Sequence, residues 1–233
     1  MKVWGLAATL GFSILAFVLG QMLGMAALTA VKPFDPLHPI IDTDGTAIAI
    51  VTLIGNPVQV VTLVLAARLT GTDILSYFAL VMPRWRDAAL AVAALAGAIV
   101  LGDVLTLALG HELVPSFWID VHRSAQADGT LPWLWLALIV FGPIGEELLF
   151  RGFLFRGLVH EPRDALPGIL AIALIWALLH VQYDWESTGI VFAIGVLFGY
   201  LRLLTGSTLL VIFLHMLLNV ESLGETMVAL GWI

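Results

Sequence analysis

The sequence predicts an all-α polytopic membrane protein: a bundle of about seven helical spans (six to eight), forming one transmembrane domain over residues 1–233. Of the 233 residues, 61% are hydrophobic and only 12% charged, where soluble domains carry roughly 45–50% and 25%. Mean hydropathy is +1.04. Those apolar residues also fall into seven runs separated by short polar punctuation, each close to the ~20 residues that cross a bilayer as a helix.

The first run, residues 3–31, follows only Met1 and Lys2 and is too long for the h-region of a cleaved signal peptide. It reads as a retained signal anchor. The second spans residues 46–67, and a short apolar stretch at 72–83 ends against Arg84, Trp85 and Arg86. That ending favours a helix lying at the interface over an eighth span. The remaining runs cover 88–110, 132–159, 166–182, 188–204 and 207–223. The loops at 32–45 and 111–131 are polar, with Pro and Gly, and read as exposed connections. Residues 1–130 thus form the N-terminal spans and loops, and 131–223 the helices that hold the candidate chemistry. Gly20 with Gly24 and Gly195 with Gly199 have the GxxxG spacing of close helix packing.

If spans alternate, Lys2, Arg68, Arg84, Arg86, Arg156, Arg163 and Arg202 gather on one side and only Lys32 and Arg123 on the other. This bias predicts a cytoplasmic N-terminus, and a prokaryotic inner or plasma membrane is the expected setting. The absence of Cys excludes disulfides and thiolate chemistry, so His, carboxylate, hydroxyl or amide groups must act. A net charge of −7 argues against nucleic acid as a partner. Membrane lipid is the expected surrounding.

Ionisable groups deep in a span are costly and by default mark function. Run four supplies Glu146, Glu147 and Arg151, run five His180, run seven His215 and Asn219, and run three Asp103. Counted from the cytoplasmic helix ends at ~1.5 Å per residue, Glu146, His180, His215 and Asn219 fall roughly 10–21 Å deep, in one mid-membrane layer. Glu147 and Arg151 lie four apart and share a helix face as an ion pair. Glu146 points ~100° away from Glu147, free to face a cavity. Gly142, Pro143 and Gly145 just before the pair predict a kink or unwinding.

Such a set can hydrolyse an amide bond. The carboxylate serves as base toward water, the imidazoles hold a metal ion or orient the water, and the carboxamide donates to the oxyanion. Two His and a Glu around zinc is a known catalytic ligand set, which makes Glu146, His180 and His215 candidate metal ligands. A metal-free glutamate mechanism is equally open.

The order EExxxR at Glu146–Arg151, then aromatic-xxx-His at Trp176–His180, then HxxxN at His215–Asn219, each in its own apolar run, resembles the CPBP family of intramembrane proteases. That family includes CAAX prenyl endopeptidases and bacteriocin-immunity proteins. The resemblance covers Leu131 to Glu221 and departs from the family in having Trp176 where Phe is usual. It implies an intramembrane peptidase with Glu146 as base, His180, His215 and Asn219 as further catalytic residues, and Glu147 with Arg151 in support. The partner it implies is a membrane-associated peptide or protein substrate, lipidated in the CAAX case.

Simpler readings stand beside this one. Asp103 lacks a motif partner and reads as a packing residue. His38, His111, His122 and His160 read as solvated surface, and most of the eight Trp as interfacial belts. HExxH is broken at Pro115, GxSG is absent, and the Tyr183–Asp184 pair lacks a GxGD partner, so three rival intramembrane chemistries each miss a required half. Two functions from other classes remain open: a non-catalytic immunity or scaffold protein, and a transporter using the same groups as a proton relay.

Overall fold

A computed structural model describes residues 3–32 and 43–233. Lys2, Asp35, His38 and Asp42 lie outside these residues. Among the described residues, eight longer helices organise the fold: α1 Leu6–Val31, α2 Gly45–Arg68, α3 Trp85–Ala108, α4 Ser116–Ala127, α5 Leu131–Leu158, α6 Ala165–Leu178, α7 Trp185–Thr205 and α8 Thr208–Ala229. Among the described residues, α1, α2, α3, α5, α7 and α8 are long and apolar enough to cross a membrane. The chain is an integral membrane protein.

Helices α1 and α2 pack antiparallel through small residues. A Cβ added at Gly20 would lie 2.7 Å from the Gly55 carbonyl oxygen, and one at Gly24 would lie 2.8 Å from that of Val51. The Gly195/Gly199 pair works the same way, with Gly195 against Ala173 and Trp176 and Gly199 against Ile169, so α6 and α7 also run antiparallel. Both GxxxG pairs are contact faces, because only a missing side chain lets two backbones approach so closely.

Three expectations change. The run at 166–182 forms only the 14-residue α6, about 21 Å long by a rise of 1.5 Å per residue. His180 therefore stands on the turn after α6, not inside a helix. The stretch at 72–83 is one helical turn, Ile74–Tyr77, capped by Asp73 and ended by a turn at Phe78 and Ala79, the latter at φ 51°. It enters the core instead of lying at the interface, because Tyr77 and Phe78 are buried against Phe153 and the Ala79 and Val81 carbonyls accept from Thr208 N and Ser207 Oγ. The supposed loop at 111–131 contains α4, whose Val121, His122 and Ala125 are buried against the bundle.

Helix α5 is the one that bears the motif glutamates, and it is not uniformly α-helical. It widens to π turns at Ala137–Phe141 and Leu148–Leu154, on either side of a short α segment Gly142–Glu147. Wide turns disturb the backbone ladder, and inside a bilayer any freed carbonyl must find a partner. Side chains of other helices supply donors: Asn219 to the Leu138 oxygen, Asn56 to Phe141, Gln59 to Gly145 and Arg202 to Arg151. The Gly-Pro-x-Gly run thus sets the geometry around Glu146 and Glu147, and amides of α2 and α8 hold it.

Candidate active site

Glu147 and Arg151 are fully buried and joined at 3.0 Å between Oε1 and Nη1, the predicted ion pair. Arg151 Nη2 also donates to the Gly195 oxygen at 3.0 Å, tying α5 to α7. Glu147 does more than neutralise the arginine. Its Oε1 accepts from His215 Nδ1 at 2.9 Å, so the carboxylate fixes the ring of α8. With Nδ1 carrying the proton, Nε2 of neutral His215 is a bare acceptor.

Trp176 joins the other parts. Its indole Nε1 donates to Glu146 Oε2 at 2.6 Å, and its rings meet those of His180 and His215 edge-on at centroid distances of 5.0 and 5.5 Å. The carboxylate and both imidazoles therefore surround one buried indole, and the residue found where the family usually has Phe does hydrogen-bonding work that Phe cannot do. His180 Nδ1 lies 2.8 Å from the Trp176 carbonyl oxygen, which only accepts. Its proton is thus on Nδ1, leaving Nε2 open. Glu146 keeps Oε1 for a reactant because Oε2 is engaged.

Glu146, Trp176, His180, His215 and Asn219 line one cavity of about 730 Å³. The motifs from α5, α6 with its following turn, and α8 share this space. Asn219 spends one amide N–H on the Leu138 oxygen at 2.7 Å, which leaves the other for a ligand.

Residues 128–220 match the family model described as Rce1-like, a type II CAAX prenyl endopeptidase. The match supports the resemblance of this segment to the CPBP family. No curated protein and no solved structure matches the chain. Glu146, Glu147, Arg151, Trp176, His180, His215 and Asn219 all fall inside the match, while α1 to α4 lie wholly outside it.

Sequence reasoning missed residues on the other side of the cavity. His122, read as solvated, is 2% exposed and lines the cavity with Trp118. Burial holds its imidazole below the ordinary value of 6.5, hence neutral. Tyr183, set aside as half of a broken motif, accepts from Trp118 Nε1 at 2.9 Å and lies parallel to the His180 ring at 5.9 Å. Burial raises its phenol above the ordinary value of 10.0. The neighbouring Asp184 caps α7 through Ser187 N. A signal for His122 existed: Trp118, Val121, His122 and Ala125 recur at helical spacing, and Trp118-xxx-His122 repeats the spacing of Trp176-xxx-His180. His111 and His160 are exposed as expected. Trp85, Trp133 and Trp185 are exposed like belt residues, whereas Trp4 is tied to the Ala66 oxygen.

The imidazoles suit a metal by donor chemistry, with each Nδ1 occupied and each Nε2 open. As placed, the ligand atoms of Glu146, His180 and His215 do not all lie within 4.8 Å of one another. Among the described residues, Asp103, Glu221 and Glu225 bring their carboxylate oxygens within 4.8 Å of one another. Glu146, His180 and His215 are held around the Trp176 indole without converging in that way. Asp103, expected to lack company, instead sits half-buried beside two glutamates of α8.

Proposed function

We propose that the protein is an intramembrane endopeptidase that hydrolyses a peptide bond with water activated by Glu146. The observation that carries this reading is the Trp176 indole, which holds the carboxylate and abuts both imidazoles in one cavity. Glu146 Oε1 takes a proton from water while the water oxygen bonds to the scissile carbonyl carbon. His180 Nε2 accepts the water's second hydrogen and fixes its direction of attack. The free N–H of Asn219 donates to the oxyanion. The C–N bond then breaks as Glu146 returns its proton to the leaving nitrogen. His215, oriented by Glu147, presents its Nε2 lone pair to the same cavity, and Arg151 pairs with Glu147.

The description of the matched family suggests a substrate class: a membrane-bound peptide with a prenylated C-terminal CAAX sequence. Purified protein in liposomes should cut a farnesylated CAAX peptide, and Glu146→Gln should abolish this while its melting temperature in detergent stays within a few degrees. Turnover should persist after treatment with a strong chelator; a chelator-sensitive enzyme restored by zinc would replace this mechanism with a metal-based one. A well-folded wild type that cuts no peptide would make the protein a non-catalytic partner.

The same reading puts the N-terminus in the cytoplasm, supported by the distribution of Lys and Arg. Because the chain has no Cys, a single Arg163→Cys variant is a clean probe of this topology. Its exposed site should react with an impermeant thiol reagent only from the cytoplasmic face. Labelling from outside would invert the topology.

A further inference from the structure

The cavity has polar groups that the hydrolytic mechanism does not use. His122 Nδ1 lies 2.8 Å from the Trp118 carbonyl oxygen, one turn back on α4. A carbonyl only accepts, so the proton is on Nδ1 and Nε2 presents a lone pair. That Nε2 is buried with no partner, on a side chain 2% exposed. Trp135 Nε1, on the first turns of α5, is a buried donor that also has no partner. Both residues line the cavity that holds Glu146. Buried polar atoms left unpaired are rare, because each forfeits its hydration without recovering a hydrogen bond.

One orphan is an acceptor, the other a donor, and both are neutral. An isoprenoid or acyl chain would leave both unsatisfied, and an anionic headgroup would face the imidazole lone pair. A polypeptide backbone offers a neutral N–H and a neutral C=O and can satisfy both. We propose that the α4 side of the cavity is a binding subsite for the substrate's main chain, with His122 Nε2 accepting a substrate N–H and Trp135 Nε1 donating to a substrate carbonyl. The proposal rests on the peptidase reading for what fills the cavity, and it makes α4, outside the CPBP segment, part of substrate recognition. Main-chain contacts of this kind give affinity with little dependence on side-chain identity, as in other extended-peptide recognition.

The test uses the full chain carrying Glu146→Gln, reconstituted in nanodiscs, with a fluorescent farnesylated CAAX peptide and a series of the same peptide N-methylated at one backbone nitrogen at a time. At one position N-methylation should weaken Kd three- to tenfold. His122→Leu should weaken the unmethylated peptide by a similar factor and erase the penalty at that position. His122→Gln, which retains an acceptor oxygen, should restore part of both. Trp135→Phe should weaken binding without erasing the N-methyl penalty. Should His122→Leu fail to fold, the Gln and Phe variants carry the same comparison. A flat N-methyl scan, a penalty that survives loss of His122, or no saturable peptide binding would overturn the subsite. If the wild type fails to cut the peptide while the His122-dependent penalty is present, the hydrolytic reading falls and the subsite stands.

Discussion

Trp118 with His122 and Trp176 with His180 are built alike. In each, an indole precedes an imidazole by one helical turn, the ring's Nδ1 lies 2.8 Å from the carbonyl of that Trp, and both residues line the same cavity. They differ in what the indole N–H meets: Trp176 donates to the Glu146 carboxylate at 2.6 Å, Trp118 to the Tyr183 hydroxyl at 2.9 Å. One unit is thereby coupled to an ionisable group able to take a proton from water. The other is coupled to a phenol that burial keeps protonated. Similar local geometry thus meets a carboxylate in one place and a phenol in the other, and each time that group comes from another element.

Breaking the reactive unit should have the largest effect. Glu146→Gln keeps the bond from Trp176 but removes the base, and kcat should fall about 10³-fold, in line with the 10²–10⁴ typical of a general base; residual turnover within tenfold of wild type would refute the assignment. His180→Ala should follow with a loss of about 10² in kcat and little change in KM, measured on the same farnesylated peptide. Trp176→Phe restores the residue the family usually carries and preserves the aromatic wall while deleting the N–H on Glu146. Its kcat should drop about ten- to hundredfold, the value of one hydrogen bond to a charged group; an unchanged kcat would mean that the bond only decorates the site.

The second unit should respond more weakly. Tyr183→Phe keeps the ring against His180 and removes the hydroxyl that meets Trp118, so kcat/KM should change by no more than about tenfold, the scale of one neutral hydrogen bond. The smallest effect expected is on acid stability. His122 is buried with its pKa held below 6.5, so as pH falls through 6.5 the unfolded chain takes up a proton that the native ring refuses. Stability is then lost with falling pH until the native ring also protonates. Melting curves between pH 7 and pH 5 should show a shallower decline for His122→Gln than for wild type, and parallel curves would contradict a buried neutral imidazole.

Much of the site could be read from the sequence because the constraint is local and strong. An apolar helix carries Glu, His or Arg only under pressure, so EExxxR, the His at 180 and HxxxN stood out against Leu, Val and Ala. The four-residue spacing of Glu147 and Arg151 fixed their ion pair, since residues one turn apart share a face. The third partner of that pair could not be read there: His215 is 68 residues away and meets Glu147 only through helix packing. His122 and Trp118 were hidden for the opposite reason. In a polar stretch between spans, a His is unremarkable, and its burial depends on α4 folding back against α2, α5 and α8.

The sequence alone determined the class of molecule, six of the apolar spans and the order of the motifs, because hydropathy and helical period act over one or a few turns. Tertiary structure decided the rest: that α6 stops short and leaves His180 on a turn, that α5 widens into π turns braced by Asn56, Gln59 and Asn219, and that Trp176 binds Glu146 and abuts both imidazoles. These features depend on hydrogen bonds between side chains and backbones far apart in sequence, and a chain in lipid makes them because a freed backbone carbonyl there has no water to turn to.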